Sequence, residues 1–328
     1  MPFLKFGVQE RDSRSQGALG LSNSLMWEGD VYKPSGAPGP SGSGLQMPAQ
    51  RRPCGSAECA SAWTVPWRSR RRPIFEGRWG CSGRCVLAMV RGAVRRELGD
   101  GAMSAEGSHR HRIPLGLVML AQGWITQVQL RKALDAQREN ETGRIGDWLV
   151  SECGVDRERV TRGLSVQWNC PVLTTEGFHA ETMALVMPRI FVEKFGLLPL
   201  RVAGSRILYL GFEERLDASA LLALEQMTGL QPESGLVNSA QFNTARSRLL
   251  ECDAVETKFE TVADTDTLAA RITAVLEHKQ PLGSRLVRMH GYYWLRLWLE
   301  RSAIGKAGSL PATGEDMYDY VFTVGARG

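Results

Sequence analysis

PLGLVMLAQGWITQVQLRKALDAQ, residues 114–137, and RIGDWLVSECGVDRERVTRGLSVQ, residues 144–167, are one pattern written twice at an offset of 30. Such a repeat resets the question of fold, because each copy is one supersecondary unit that needs its neighbour to bury its apolar face. Leu115-Gly116 meets Ile145-Gly146, Met119-Leu120 meets Leu149-Val150, and Ile125 meets Val155. Thr126 meets Asp156, Leu130 meets Val160, Leu134 meets Leu164, and Gln137 meets Gln167.

Each position has a physical role. Thr126 and Asp156 are good N-cap residues. Gln129 completes a capping box with Thr126, whereas the second copy has Arg159 there. Ile125 with Leu130, and Val155 with Val160, take the two positions of a hydrophobic staple. Each copy therefore reads as a short helix, a tight turn and a second, capped helix. The apolar stripe of that second helix runs Leu130–Leu134 and Val160–Leu164, and its next position is glutamine in both copies. A polar group on a buried stripe needs a hydrogen-bond partner. Gly116 and Gly146 open a helix, where a missing side chain admits a neighbour to the backbone and free N–H groups favour an anion. Two readings stay open on pattern alone. In one, the glycines are packing contacts and the glutamines cap a neighbouring element. In the other, both face a small ligand.

These residues resemble the N-terminal domain of type II secretion and type IV pilus assembly ATPases, the GspE/PulE group. The nearest subset is the MshE-type domain, whose tandem motif is close to RLGxxLVxxGxIxxxxLxxxLxxQ. The likeness continues through MPRIFVEKFGLLPLRVAGSRILYLGFEERLDASALLALEQMTGL, residues 187–230, and covers about residues 113–250. It implies cyclic di-GMP as ligand, one half to each motif. Arg144 would contact a base or phosphate, a task suited to a planar guanidinium. Gly116 and Gly146 would admit the ligand. Leu115, Leu120, Ile145, Leu149 and Val150 would pack on bases and riboses, and Gln137 and Gln167 would supply hydrogen bonds. Three departures stand against the motif: Pro114 in place of the first arginine, Cys153 in place of the second glycine, and a six-residue spacer, 138–143.

Beyond the repeat, the pattern predicts a helix over 181–194 and strands over 197–202 and 206–212. A helix over 217–228, a strand over about 233–237 and a helix over 239–250 follow. Ala203-Gly204-Ser205 signals a hairpin, and Asp217 and Ser239 are plausible caps. The tail predicts a helix over 266–279 and two strands, one beginning in YYWLRLW and one in MYDYVFTVG. Trp294 and Trp298 share a strand face, either as cover over the core or as a docking surface. Leu310 to Gly314 spells a sorting pentapeptide, LPATG, but no apolar anchor follows it, so it reads as a loop.

Residues 1–100 hold 15 Lys+Arg against 8 Asp+Glu, while the remainder holds 25 against 27. PSGAPGPSGSG, residues 34–44, is linker-like, and arginine-rich stretches surround it. Disorder is expected to about residue 105. Arg68, Arg70, Arg71 and Arg72, beside Trp63 and Trp67, are a candidate for nucleic acid or anionic lipid, with a solvated basic tail as the plainer reading. Cys54, Cys59, Cys81 and Cys85 form a CxxxxC…CxxxC set whose loose spacing favours free thiols over zinc. The change in composition near Met103 raises the alternative that the chain starts there. The seven cysteines and the lack of a signal peptide point to a reducing cytoplasm.

No Walker A loop is present, and no H-E-x-x-H or nucleophile–histidine set with local context. His109 and His111 lie in a basic loop and read as solvated. The expected architecture is α+β: a disordered basic arm (1–105), a helical subdomain of two tandem helix pairs (106–175), a small three-stranded α/β subdomain (176–252) and a helix plus β-hairpin tail (253–328). The expected protein is not an enzyme and carries no cofactor or metal. It is a cytoplasmic regulatory module that binds cyclic di-GMP and contacts a secretion or pilus component, either an ATPase in trans or an inner-membrane platform protein. Specific nucleic-acid binding and membrane insertion are not expected. The alternative is an adaptor that has lost nucleotide binding.

Overall fold

The computed structural model describes residues 54–59, 72–105, 113–204, 206–213, 218–301, 310 and 313–325. Residues 63, 67, 68, 70, 71, 109, 111 and 217, singled out above, lie outside them.

The tandem copies fold as four helices, α2 (Leu115–Ala121), α3 (Gln127–Asn140), α4 (Ile145–Cys153) and α5 (Arg157–Trp168), after an earlier helix α1 (Gly83–Ala105). The caps are where the residue types place them. Thr126 Oγ1 accepts from the Gln129 N–H at 3.2 Å, and the Gln129 side chain accepts from the Thr126 N–H at 2.9 Å. Asp156 accepts from the Glu158 N–H at 3.0 Å. Helix α3 packs along α4, and α2 packs against α5. Exchanging the two copies turns one pairing into the other. Leu115, Met119, Ile125, Ala133, Leu149, Val155 and Val160 form the shared core.

Strands β3 (Val172–Leu173), β4 (Leu197–Ala203), β5 (Ile207–Phe212) and β6 (Gln231–Val237) form a sheet of order β3-β6-β5-β4. β4 and β5 are antiparallel, while β6 runs parallel to β5 and β3. Helices α6 (Ala180–Met183), α7 (Arg189–Phe195), α8 (Ala218–Thr228) and α9 (Ser239–Glu251) pack around it. Three strands were expected, and the fourth, β3, is too short to show a period. The single helix expected over 181–194 is two, because Pro188 cannot continue a helix and instead starts α7 in extended geometry.

The tail departs further from expectation. Strands β7 (Glu256–Val262), β8 (Gly283–Met289), β9 (Tyr292–Trp298) and β10 (Met317–Val324) form a second sheet, ordered β7-β10-β9-β8, with α10 (Thr265–Lys279) against it. β8 and β9 close through His290-Gly291, a two-residue turn in which His290 takes φ 54°. Both faces of this sheet are covered. Val287, Met289, Trp294, Trp298, Met317 and Val321 join the core of the first sheet. Leu286, Tyr293, Leu295, Leu297, Tyr320 and Phe322 pack with α10 and α1. Trp294 and Trp298 are therefore core residues, 0% and 5% exposed, and not a docking surface.

On the face toward the first sheet, Arg296 and Asp319 are register partners and form a buried bidentate ion pair with N···O distances of 2.8 and 2.7 Å. The Trp294 indole N–H donates to Asp319 at 2.8 Å, and Arg296 donates to the carbonyls of Leu185 and Val186 at 2.9 and 3.1 Å.

The expectation of disorder through residue 105 is overturned for 54–59 and 72–105. β1 (Ile74–Phe75) and β2 (Arg78–Trp79) make a small hairpin ahead of α1. The N–H groups of Ile74 and Glu76 donate to the carbonyls of Pro281 and Ser284, which seats β1 beside β8. Val86, Val90, Ala93 and Val94 of α1 are buried against the second core. Glu97, also buried, accepts from the Arg288 N–H at 2.9 Å, and burial pushes its carboxyl above the usual range although Arg96 pulls it down. Positions 86, 90, 93, 94 and 97 do follow a helical period. The stripe escapes notice because it is small, crossed by arginines and closed by a glutamate. A chain starting at Met103 would lack the α1 residues Val86 to Val94 and leave α10 to cover this face of the sheet without them.

Asp319→Ala is expected to lower unfolding stability by about 3–5 kcal/mol, because Arg296 is then buried without its counter-charge. Urea denaturation checks this, and a double replacement of Arg296 and Asp319 by apolar residues is expected to cost less than the single one.

Candidate functional site

The two second helices of the repeat end in the glutamines, and each glutamine has an equivalent task. Gln137 donates to the carbonyl of Gly143 at 2.9 Å, and Gln167 donates to the carbonyl of Ile113 at 2.8 Å. Gly143 and Ile113 each stand one residue before the N-cap of a first helix, Arg144 for α4 and Pro114 for α2. The glutamines thus tie α3 to the start of α4 and α5 to the start of α2. The partner that the polar stripe position required is this backbone carbonyl. The starts of α2 and α4 carry no side-chain cap, unlike those of α3 and α5. Asp147 supplies the acidic group in the first turn of α4, where it complements the helix dipole.

The glycines serve close packing. A Cβ built on Gly116 would lie 2.5 Å from Leu130 Cδ1, and one on Gly146 would lie 2.9 Å from Val160 Cγ1 and 3.6 Å from Leu115 Cδ2. The space a side chain would take at each glycine is filled by the second helix of its own copy. Gly163 serves the same end, since a Cβ there would meet Met119 and Leu115 within 2.9 Å. Leu115 and Leu149 are likewise buried, 7% and 0% exposed, and belong to the core of the helical unit. Leu120, Ile145, Val150, Gln137 and Gln167 are half-buried, and Arg144 is exposed. The contact between Gly146 and Leu115 brings the two first-helix starts together.

The Cys153 departure also has a structural account. α4 runs on through Cys153, and Gly154 takes the left-handed φ of 62° that ends it. The Cys153 thiol donates to the carbonyl of Gln129 at 3.2 Å, and Gln129 returns a bond to the carbonyl of Cys153 at 3.4 Å. Lys132 also reaches the carbonyl of Glu152.

A second cluster lies around the start of α1. Cys54, Cys59, Cys81 and Cys85 are half-buried, and their Sγ atoms all lie within 4.8 Å of one another. Cys81 is 3.5 Å from both Cys59 and Cys85, and its N–H donates to Cys54 Sγ at 3.3 Å. Burial, with hydrogen bonds among the thiols, pushes Cys81 up to about 12, while the Ser82 hydroxyl brings Cys85 down to about 7. The spacing alone did not predict this convergence, because it depends on a hairpin only two residues per strand.

No model of a known protein family matches the sequence. No curated protein matches it either. Among solved structures, the chain is similar to MshE with cyclic di-GMP, at 23% identity and a TM-score of 0.35, over 42% of this chain and 99% of that one. It is also similar to the N-terminal domain of XpsE, at 16% identity and a TM-score of 0.30, over 41% of this chain and 92% of that one. No helix among the described residues is long and apolar enough to cross a membrane.

Gly146→Val is expected to destabilise the protein by about 1–3 kcal/mol, because the stiff Val160 side chain occupies the space a new side chain needs. Thermal unfolding checks this. A variant as stable as the parent would mean that the backbone at Gly146 is open after all.

Proposed function

We propose that the tandem helix pairs bind cyclic di-GMP and that the chain is a non-enzymatic regulatory module, contacting a secretion or pilus assembly component. The observation that carries this reading is the equivalence of the two copies around their first-helix starts. Gln137 and Gln167 make like bonds to Gly143 and Ile113, and the two starts meet where Gly146 packs on Leu115. A ligand made of two identical halves is suited to two like surfaces. The residues placed to meet it are Arg144, Ile145, Val150, Leu120, Gln137 and Gln167. Arg144 supplies a guanidinium that both stacks and hydrogen-bonds. The half-buried aliphatics supply apolar contact, and the glutamine amides supply polar contact beside uncapped helix starts. Leu115, Gly116, Gly146 and Leu149 support these residues from beneath.

Pro114 favours a second reading. It stands where the motif has its first arginine, so one half of the ligand would meet no equivalent cation. On that reading the helical unit is an adaptor that docks on a secretion or pilus protein without nucleotide.

Calorimetry of the full chain with cyclic di-GMP separates the two. The first reading expects binding on the order of micromolar, weakened about 10- to 100-fold in Arg144→Ala, which corresponds to about 1.4–2.8 kcal/mol. Absence of binding by the parent chain would leave the adaptor reading.

A further inference from the structure

We propose that Cys54, Cys59, Cys81 and Cys85 form a structural zinc site that fastens residues 54–59 to the start of α1. A zinc ion holds four thiolates tetrahedrally at about 2.3 Å, which sets the sulfurs about 3.8 Å apart. The distances here fit that figure: two sulfur pairs stand at 3.5 Å and no pair exceeds 4.8 Å. They do not fit disulfides, whose sulfurs are about 2.05 Å apart. Four soft sulfur ligands in a compact set select zinc or an iron–sulfur centre among the common metals. A set in which the protein supplies all four ligands is the closed arrangement of a structural zinc.

The local fold is built to bring the sulfurs together. Glu76 and Gly77 both take positive φ, 48° and 73°, and turn the chain between β1 and β2. The Gly55 N–H donates to the carbonyl of Trp79 at 2.7 Å, which lays the segment of Cys54 and Cys59 beside the strand leading to Cys81. A side chain at Gly55 would meet Arg78 Cβ at 2.6 Å, so glycine is what allows that approach. Cys81 and Cys85 straddle the start of α1, at Gly83. On binding, each thiol gives its proton to solvent as a sulfur–zinc bond forms, and no electrons are transferred. The resulting net charge of −2 is met by the Cys81 N–H directed at Cys54 Sγ and by the positive end of the 23-residue helix α1.

The consequence concerns the whole chain. β1 is hydrogen-bonded beside β8, and α1 covers the second core. A metal at this point locks residues 54–59 to the start of α1, and β1 and α1 in turn lie against a sheet whose strands come from residues 256–324. The cluster is separate from the tandem helices, so it stands or falls independently of the ligand proposed for them.

The test uses the full chain purified without a histidine tag. Elemental analysis is expected to find one zinc per chain, falling below about a tenth in Cys59→Ser and in Cys85→Ser. In the parent protein a thiol reagent is expected to reach no more than three of the seven cysteines until a chelator and denaturant expose all of them. Because either variant can fail to fold, the parent chain refolded with cobalt provides a second reading, in the thiolate charge-transfer and ligand-field bands of tetrahedral cobalt. A chain with no bound metal, no such bands and all seven thiols reactive in the native state would overturn the site. Iron in place of zinc would overturn the assignment of the metal.

Discussion

The buried pair of Arg296 and Asp319 is the constraint around which the rest of the molecule is arranged. The two residues face each other across β9 and β10, 3% and 0% exposed, in a layer of tryptophan, methionine and valine that also holds Arg285, the register partner of Arg296 on β8. Such a pair offsets its desolvation only when every remaining donor is also satisfied. Here two further bonds from Arg296 reach the carbonyls of Leu185 and Val186, and a third bond to the carboxylate comes from Trp294. The pair therefore specifies where the loop between α6 and α7 must sit on the second sheet. A shift of that loop would leave buried donors of Arg296 unpaired, so the two sheets are fixed in one relation.

That relation explains why residues 74–97 and 256–324 share one body. The second sheet has a face to the first sheet and a face to α10 and α1. Each core joins residues far apart in sequence, Leu173 with Val321 in the first and Val86 to Val94 with Phe322 in the second. In sequence the tandem helices lie between the amino-terminal clip and the carboxy-terminal sheet that the clip covers. A small β-hairpin of two-residue strands has too little core to hold itself. The cysteine cluster and the hydrogen bonds to β8 supply what its length cannot.

In the tandem unit the glycines are packing contacts and the glutamines bond to a neighbouring element, as one of the two readings of their pattern has it. Gly116, Gly146 and Gly163 let helices approach until side chains of the neighbouring helix lie where a Cβ would be. Close helix approach of this kind needs a missing side chain as much as a ligand does, and sequence cannot tell the two needs apart. The glutamines, by contrast, sit half-buried at the helix ends and bond to backbone at the one place where two uncapped helix starts come together. Those starts, with Arg144 exposed beside one of them, are what the buried glycines support.

Local physics was legible from the residues alone. The repeat, the capping box at Thr126, the cap at Asp156, the strands at 197–203 and 207–212, and helix α10 follow from short-range patterns that act within one or two turns. Tertiary structure decided the rest. It added β3 and β7, whose pairing is non-local, it added β8 as the hairpin partner of β9, and it broke one expected helix at Pro188. It buried Trp294 and Trp298 under a second layer and recruited α1 to the far face of the sheet. It also drew together four cysteines that are 31 residues apart at their widest. A sheet covered on both sides loses the alternation that marks a half-buried strand, and sulfur atoms meet only after the backbone has closed. The sequence alone determined which segments could cap, turn and repeat. Only the folded chain decided which faces met, because burial depends on the partner surface and not on the residue that is buried.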